Sequence, residues 1–323
     1  YKRLMQADTL EVVFGGGEAN VAVSLAQFGE DAVYFTKLPK NPLADKCVNE
    51  LRGFGVDTTK IIRGGERMGI YFCEKGCSQR GSNVIYDRKD SAIAKMADSE
   101  VDVDTLLDGV TWLHWTGITP ALSDNAIDVM RKILRAAKLK DIQVSCDLNY
   151  RKKLWTKDKA NQVMSELVNY VDVLISNEED SKDVFSIEAS NSNITAGVLS
   201  ADGYEEIGHK LMNKFPNLKC VAFTLRESIS ASVNNWSGIL VTAKGAFKSK
   251  KYTIQIVDRV GGGDSFGAGL IYGLVNKLGE QQTIEFAIAA SCLKHTIEGD
   301  FNITSVDEVM KLVGGDGSGR VQR

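Results

Sequence analysis

From about Ala97 onward, short apolar runs and amphipathic helical stretches take turns along the chain, and this alternation limits the possible folds more than any other feature. VTWLHWTG (110–117), IQVSCDLN (142–149), VDVLISN (171–177) and LKCVAFTL (218–225) read as strands. Between them, NAIDVMRKILRAAKLK (125–140), KDKANQVMSELVNY (157–170) and GYEEIGHKLMNKF (203–215) read as helices. Strand, helix, strand in that order predicts an α/β fold with a parallel sheet and helices on both faces. Strands such as VDVLIS, apolar almost without a break, fit burial from both sides.

Two stretches interrupt the rhythm. EVVFGG, near the start, and the segment from Arg67 to Ile93 carry short alternating patterns with no helix between them. They predict a small antiparallel sheet projecting from the α/β body. The expected division is a core of residues 18–65 and 96–314, a β lid of residues 1–17 and 66–95, and a frayed, Gly-rich tail over 315–323. Such an arrangement leaves a cleft in which a ligand can be covered.

Composition removes several classes. Apolar residues make up 43% and charged residues 25% of the 323, which excludes a disordered or collagen-like chain. The formal net charge of -3 leaves no basic footprint for nucleic acid. No apolar run approaches the roughly 20 residues that a membrane helix needs. Six cysteines are too sparse for a disulfide scaffold and read as reduced thiols, hence a cytoplasmic location.

The sharpest chemical signal is DRVGGGDSFGAG (258–269), which follows the apolar run YTIQIV and opens a helix. Glycines at a helix start let successive backbone N–H groups converge, and the helix dipole adds partial positive charge there. Gly261, Gly262 and Gly263 therefore form a candidate anion hole, and Asp264 at its edge is a candidate base for an attacking hydroxyl. The bland alternative is a glycine-rich turn with an ordinary capping aspartate. It is not a Walker A loop, because no Lys-Ser/Thr follows the glycines.

A second signal is FGGGEAN (14–20), where glycines allow a polyhydroxylated ligand close to the backbone. Gly16, Gly17 and Asn20 are the candidates, Asn20 as a donor and acceptor at the helix start. A plain strand-to-helix turn reads equally well from these residues alone.

Together the two glycine motifs resemble those of the PfkB (ribokinase-like) carbohydrate kinases, whose signatures are an early Gly-Gly-rich loop with Asn and a late D-x-x-G-A-G-D-x-F loop. Gly262 stands here where alanine is usual, a change such a loop should tolerate, and Arg259 stands where Thr or Pro is common. Within the family, GGGEANVAVSLAQFG, YDR, GITPALS and DLNYR are most like the 2-keto-3-deoxygluconate kinases. The resemblance implies a three-layer ribokinase-like sandwich with a small β lid. It also implies ATP and Mg²⁺ as cofactors and a sugar acid phosphorylated on its 6-hydroxyl, with Asp264 as general base. A further strand ahead of the glycine loop is normal in the family and is expected before Tyr1.

By the same resemblance, Tyr71, Tyr86, Arg88, Ile118, Arg151 and Asp300 hold the substrate. The two arginines carry the choice of an acid, because a guanidinium pairs bidentately with a carboxylate and a neutral sugar needs neither. Surface ion pairing is the alternative for Arg88, beside Asp87 and Asp90. Asn177 and Asp180, in NEED, resemble a motif that organises metal and phosphate; Asp replaces the usual Glu, and a solvated acidic turn is the alternative. Thr224, Arg226, Gly261, Gly263, Ala290 and Ser291 are the nucleotide candidates, with helix packing an equal reading for the last two. The lid face is expected to carry a contact with a second copy. Competing functions are a fructokinase or another sugar or nucleoside kinase of this fold, and a non-catalytic sugar-binding regulator.

Overall fold

The computed structural model describes residues 2–190 and 200–317. The strands are β1 Lys37–Leu38, β2 Ile62–Arg63, β3 Ile70–Glu74, β4 Asn83–Asp87, β5 Trp112–Thr116, β6 Gln143–Asp147, β7 Val173–Ser176, β8 Cys220–Ser228, β9 Val233–Thr242, β10 Gly245–Lys248 and β11 Tyr252–Gln255. Strands β5 to β8 pair parallel in sequence order, as the alternation predicts. The sheet then changes sense: β9 runs antiparallel to β8, and β10 and β11 both pair antiparallel with β9, completing seven strands. The central sheet is therefore mostly, not wholly, parallel. β7 is buried along its whole length, in keeping with its unbroken apolar sequence.

The helices are α1 Gly17–Gln27, α2 Pro42–Gly53, α3 Val103–Leu106, α4 Ile118–Ala121, α5 Asp124–Leu139, α6 Lys157–Leu167, α7 Glu178–Phe185, α8 Ala201–Lys214, α9 Gly262–Val275, α10 Glu280–Lys294 and α11 Val306–Val313. Helices α5, α6, α7 and α8 pack on one face of the sheet around Leu134, Met164, Leu174, Ile207 and Val221. On the other face α9 and α10 bury Phe266, Leu270 and Ile284 against Ile175, Ala222 and Leu240. Behind them α1 and α11 close a further cluster about Val21, Phe286 and Val309. This is the three-layer ribokinase-like α/β architecture. Side-chain caps fix several helix starts: Ser123, Thr156, Asn177, Ser200 and Ser305 each accept a backbone N–H from the first turn.

The lid sheet consists of β3 and β4 alone, paired antiparallel with Tyr71 opposite Tyr86. EVVFGG contributes no strand to it; residues 9–16 are irregular, and Val12 and Val13 are exposed instead of packed. The expected tail, residues 315–323, falls partly outside the described residues; Gly315 to Gly317 follow a turn off α11. No helix among the described residues is long and apolar enough to cross a membrane. All six cysteines are free thiols.

Candidate active site

A continuous cleft of about 1840 Å³ runs between the lid and the core. It passes the C-terminal ends of β5, β6 and β7, where ligands bind in open α/β sheets. The late glycine motif lies on its wall. Gly261 caps α9 with φ +80, and a Cβ there would lie 2.1 Å from the Asp300 carbonyl oxygen, so only glycine fits. A Cβ on Gly262 would meet Cε1 of the buried His295 ring at 2.5 Å, whereas at Gly263 it would meet nothing within 4 Å. In this chain an alanine at Gly262 fits only if His295 moves. The first amides of a helix have no intrahelical acceptor. That of Gly262 reaches back to the Arg259 carbonyl at a long 3.3 Å.

The turn is braced from behind. Ser291 Oγ donates to the Gly262 carbonyl at 2.7 Å and accepts from Trp236 Nε1 at 3.0 Å. Asn302 Nδ2 donates to Ser265 Oγ at 2.9 Å. Ser291 and Ala290 are fully buried and do not line the cleft, so they are not placed to touch a nucleotide. Ala290 packs with Val21, Ala268 and Phe286, because the small-residue face of α10 lies against α9 and α1 rather than solvent. Thr224 and Arg226 do line the cleft, and so does Arg259, which donates to Ala231 O at 3.0 Å.

The early glycine motif meets the late one. Gly16, with φ +145, caps α1, and its N–H is 3.3 Å from Asn20 Oδ1. Asn20 Nδ2 then donates to Asp264 Oδ2 at 2.7 Å. A Cβ on Gly17 would lie 3.6 Å from Asp264 Oδ1. The starts of α1 and α9 therefore converge on one carboxylate. Burial pushes the Asp264 carboxyl up to about 6; the Asn20 amide pulls it down, while the charges of Glu18 and Asp300 push it further up.

Sequence reasoning missed Glu18, although it sits inside the glycine motif. Glu18 Oε1 accepts from Thr116 N, Thr116 Oγ1 and Thr119 Oγ1, tying α1 to the end of β5. It also missed Asp147, at the end of β6 on the cleft wall. Burial and the charges of Asp180 and Asp264 push that carboxyl up to about 8.

The lid supplies the other wall. Tyr71 OH lies 2.9 and 2.7 Å from the two Asp300 carboxylate oxygens. The Arg88 guanidinium lies over the Tyr86 ring, 4.0 Å from its centroid. Among the described residues Arg88 Nε and Nη2 are buried with no hydrogen-bond partner. Arg151 faces the same space and uses one nitrogen on the Tyr150 carbonyl at 3.1 Å. Burial and the like charge of Arg151 both oppose the charge on Arg88. The ion pair with Asp87 belongs to Arg67, not Arg88. Ile118 opens α4 at the cleft floor, its N–H 3.3 Å from Thr116 Oγ1.

Asn177 and Asp180 also line the cleft, at the end of β7. Each is occupied by the other: Asp180 N donates to Asn177 Oδ1 at 2.7 Å, and Asn177 Nδ2 to Asp180 Oδ2 at 3.1 Å. Burial raises Asp180 to about 6. Among the described residues no group of three or more His, Cys, Asp or Glu is placed to cage a metal.

A small sheet over a glycine turn at a helix start, with the Asp264 carboxylate on the first turn of that helix, fits a phosphotransferase of the ribokinase-like class. Residues 1–304 match the pfkB family of carbohydrate kinases, and the chain belongs to that family. It is an enzyme of the class that transfers phosphate from ATP, typically with Mg²⁺, to an alcohol group of a sugar. It is similar to the crystal structure of a 2-dehydro-3-deoxygluconokinase from Thermotoga maritima: 48% identity, TM-score 0.93, covering 97% of this chain and 94% of that one. It is 28% identical over 319 residues to a 2-dehydro-3-deoxygalactonokinase from Haloferax volcanii, across 98% of this chain and 93% of that protein. A fructokinase structure from Vibrio cholerae, 18% identical with TM-score 0.72 and covering 93% of this chain and 91% of that one, shares the fold.

Proposed function

We propose that this sugar kinase phosphorylates the 6-hydroxyl of 2-keto-3-deoxygluconate, giving 2-keto-3-deoxy-6-phosphogluconate. The observation that carries the choice of an acid is Arg88: two of its guanidinium nitrogens are buried and unpaired, within the field of Arg151. An unpaired buried donor costs free energy, and a second cation beside it costs more. A substrate carboxylate relieves both at once. The names of the relatives support the same class of substrate.

In this reading Asp264 takes the proton of the attacking hydroxyl, and the 6-oxygen bonds to the γ-phosphorus of ATP as ADP leaves. Asn20 keeps the Asp264 carboxylate oriented and ionised near neutral pH. Gly261, Gly262 and Gly263 let the start of α9 approach the transferring phosphoryl group, where amides and helix dipole stabilise its charge. Tyr71, Tyr86, Arg88, Arg151, Asp300, Gly16, Gly17 and the backbone of Ile118 hold the sugar acid. Thr224 and Arg226 face the nucleotide. Magnesium, when bound, neutralises phosphate charge. The donor set fits an ion carried mainly by phosphates and water, with Asp180 and Asn177 as the cleft residues to hold its water. The lid, residues 1–17 and 66–95, covers the substrate, and its exposed Ile70 and Ile85 support contact with a second copy.

A coupled ADP-release assay with ATP and Mg²⁺, run across a panel of neutral sugars and sugar acids, tests the substrate. The expected result is a clear preference for the 2-keto-3-deoxy acid. Preference for a neutral sugar such as fructose overturns the assignment while leaving the kinase class intact.

A further inference from the structure

Lys294, the last residue of α10, has no exposed surface, and no step above uses it. Burying an ammonium costs several kcal/mol, and a methionine or leucine would fill the same volume without that cost. The position of the charge is therefore informative. Lys294 Nζ donates to the Ile297 carbonyl at 3.0 Å. Its Cε lies 3.2 Å from the point where a Cβ on Gly261 would stand, directly behind the glycine turn. The Ile297–Asp300 loop that it holds is the one whose Asp300 carbonyl abuts Gly261.

The surroundings are strongly negative. Asp258 and Asp300 are 4% and 6% exposed, and the half-buried Asp264 lines the same cleft. Burial lowers the Lys294 pKa below its ordinary value, and the three carboxylate charges oppose that and favour the ammonium form. The other cation within reach, Lys75, sits on the lid, pairing with Asp258 at 3.0 Å and Glu298 at 2.6 Å. Lys75 follows β3 in the small sheet, whereas Lys294 ends α10 in the core. An anion hole backed by uncompensated carboxylates would repel a phosphoryl group.

We propose that Lys294 is a positioning residue for phosphoryl transfer: a resident ammonium that holds the Ile297–Asp300 loop against Gly261 and offsets the carboxylates behind the anion-binding turn. The inference rests on that turn being where the phosphoryl group is received, as proposed above.

The test uses steady-state ADP release by the full chain, with a thermal melt of each variant. Wild type should need no added monovalent cation, turning over equally in a tetramethylammonium buffer and in one with potassium. Lys294→Met should still fold, with a melting point below wild type, because the Ile297 contact is lost and the buried carboxylates keep their charge without the cation. Its kcat should fall by about 10²-fold with KM for the sugar little changed, as expected when charge stabilisation of the transferring group is lost. Lys294→Ala should be as slow, but ammonium or methylammonium should restore turnover saturably by filling the vacated space, and should do nothing for the methionine variant. Undiminished kcat in Lys294→Met, or a wild type inactive without added potassium, overturns the proposal. So does a folded Lys294→Ala that no small cation rescues; if that variant does not fold, the methionine variant decides. Asp264→Asn in the same assay reports on the site assignment separately: if it turns over like wild type, that reading fails whatever the lysine variants do.

Discussion

The side-chain amide of Asn20 donates to the carboxylate of Asp264 at 2.7 Å, across 244 positions of sequence. This bond joins the two glycine-rich helix starts into one site, and it favours the ionised form of the proposed base against burial. The carboxyl, raised to about 6, must lose its proton to act, so kcat/KM should climb as pH rises through about 6 and level off above it. Asn20→Ala removes a bond that favours the charged form and should move this limb to higher pH. Glu18→Gln removes a negative neighbour and should move it lower. Asp264→Asn should cut kcat by about 10²- to 10⁴-fold while calorimetry still detects sugar binding. Limbs that stay in place in both neighbour variants would show that another group titrates.

Arg88 and Arg151 should separate acids from neutral sugars. Each charge-assisted contact is worth about 1.5–3 kcal/mol, so alanine at either position should raise KM for the sugar acid by about 10- to 10²-fold. The weak activity on a neutral sugar should hardly change. Equal losses on both substrates would point to a structural role for the arginines.

The parallel half of the sheet could be read from the sequence because β5 to β8 are apolar runs with crossover helices between them, a local pattern with one simple closure. The antiparallel turn at β9 could not: VNNWSGILVT mixes polar and apolar residues, and its partners are chosen by packing on α10. EVVFGG has strand propensity but no partner among the described residues, so propensity misled there. At the site, glycines and Asp264 announced themselves by motif. Glu18, Asp147 and Lys294 did not, because their importance lies in what they face across the fold rather than in their neighbours along the chain. Ala290 and Ser291 show the converse: small residues on α10 fit a nucleotide wall on paper, yet they are spent on helix packing and on bracing Gly262.

The three glycines of the late motif should not be equivalent. Gly261→Ala forces a left-handed residue and a 2.1 Å approach to the Asp300 carbonyl, and Gly262→Ala drives a methyl into His295. Both should lower the melting temperature and abolish turnover; the strain at Gly261 alone is of order 1–3 kcal/mol before the clash. Gly263→Ala meets open space and should melt like wild type. Any activity loss in Gly263→Ala then reports on the ligand side of the turn, since the protein side is empty. A Gly263→Ala melting point as low as that of Gly261→Ala would contradict the geometry.

Asp147 should make the substrate-free enzyme less stable as pH rises. Its folded-state pKa is raised from the ordinary 3.8 to about 8, so the folded chain holds this proton more tightly than the unfolded one. The resulting stabilisation is complete below about pH 4 and is lost as pH climbs through 8. Asp264 and Asp180, both raised to about 6, add losses of the same sign that are nearly finished by pH 7. The decline between pH 6 and 8 therefore belongs chiefly to Asp147. Asp147→Asn keeps the shape of the protonated acid at every pH, so its melting point should exceed that of wild type at pH 8, with the gap narrowing as pH falls and closing near pH 4. Thermal melts at half-unit intervals measure this, and parallel curves for the two proteins would mean that Asp147 ionises freely in the fold.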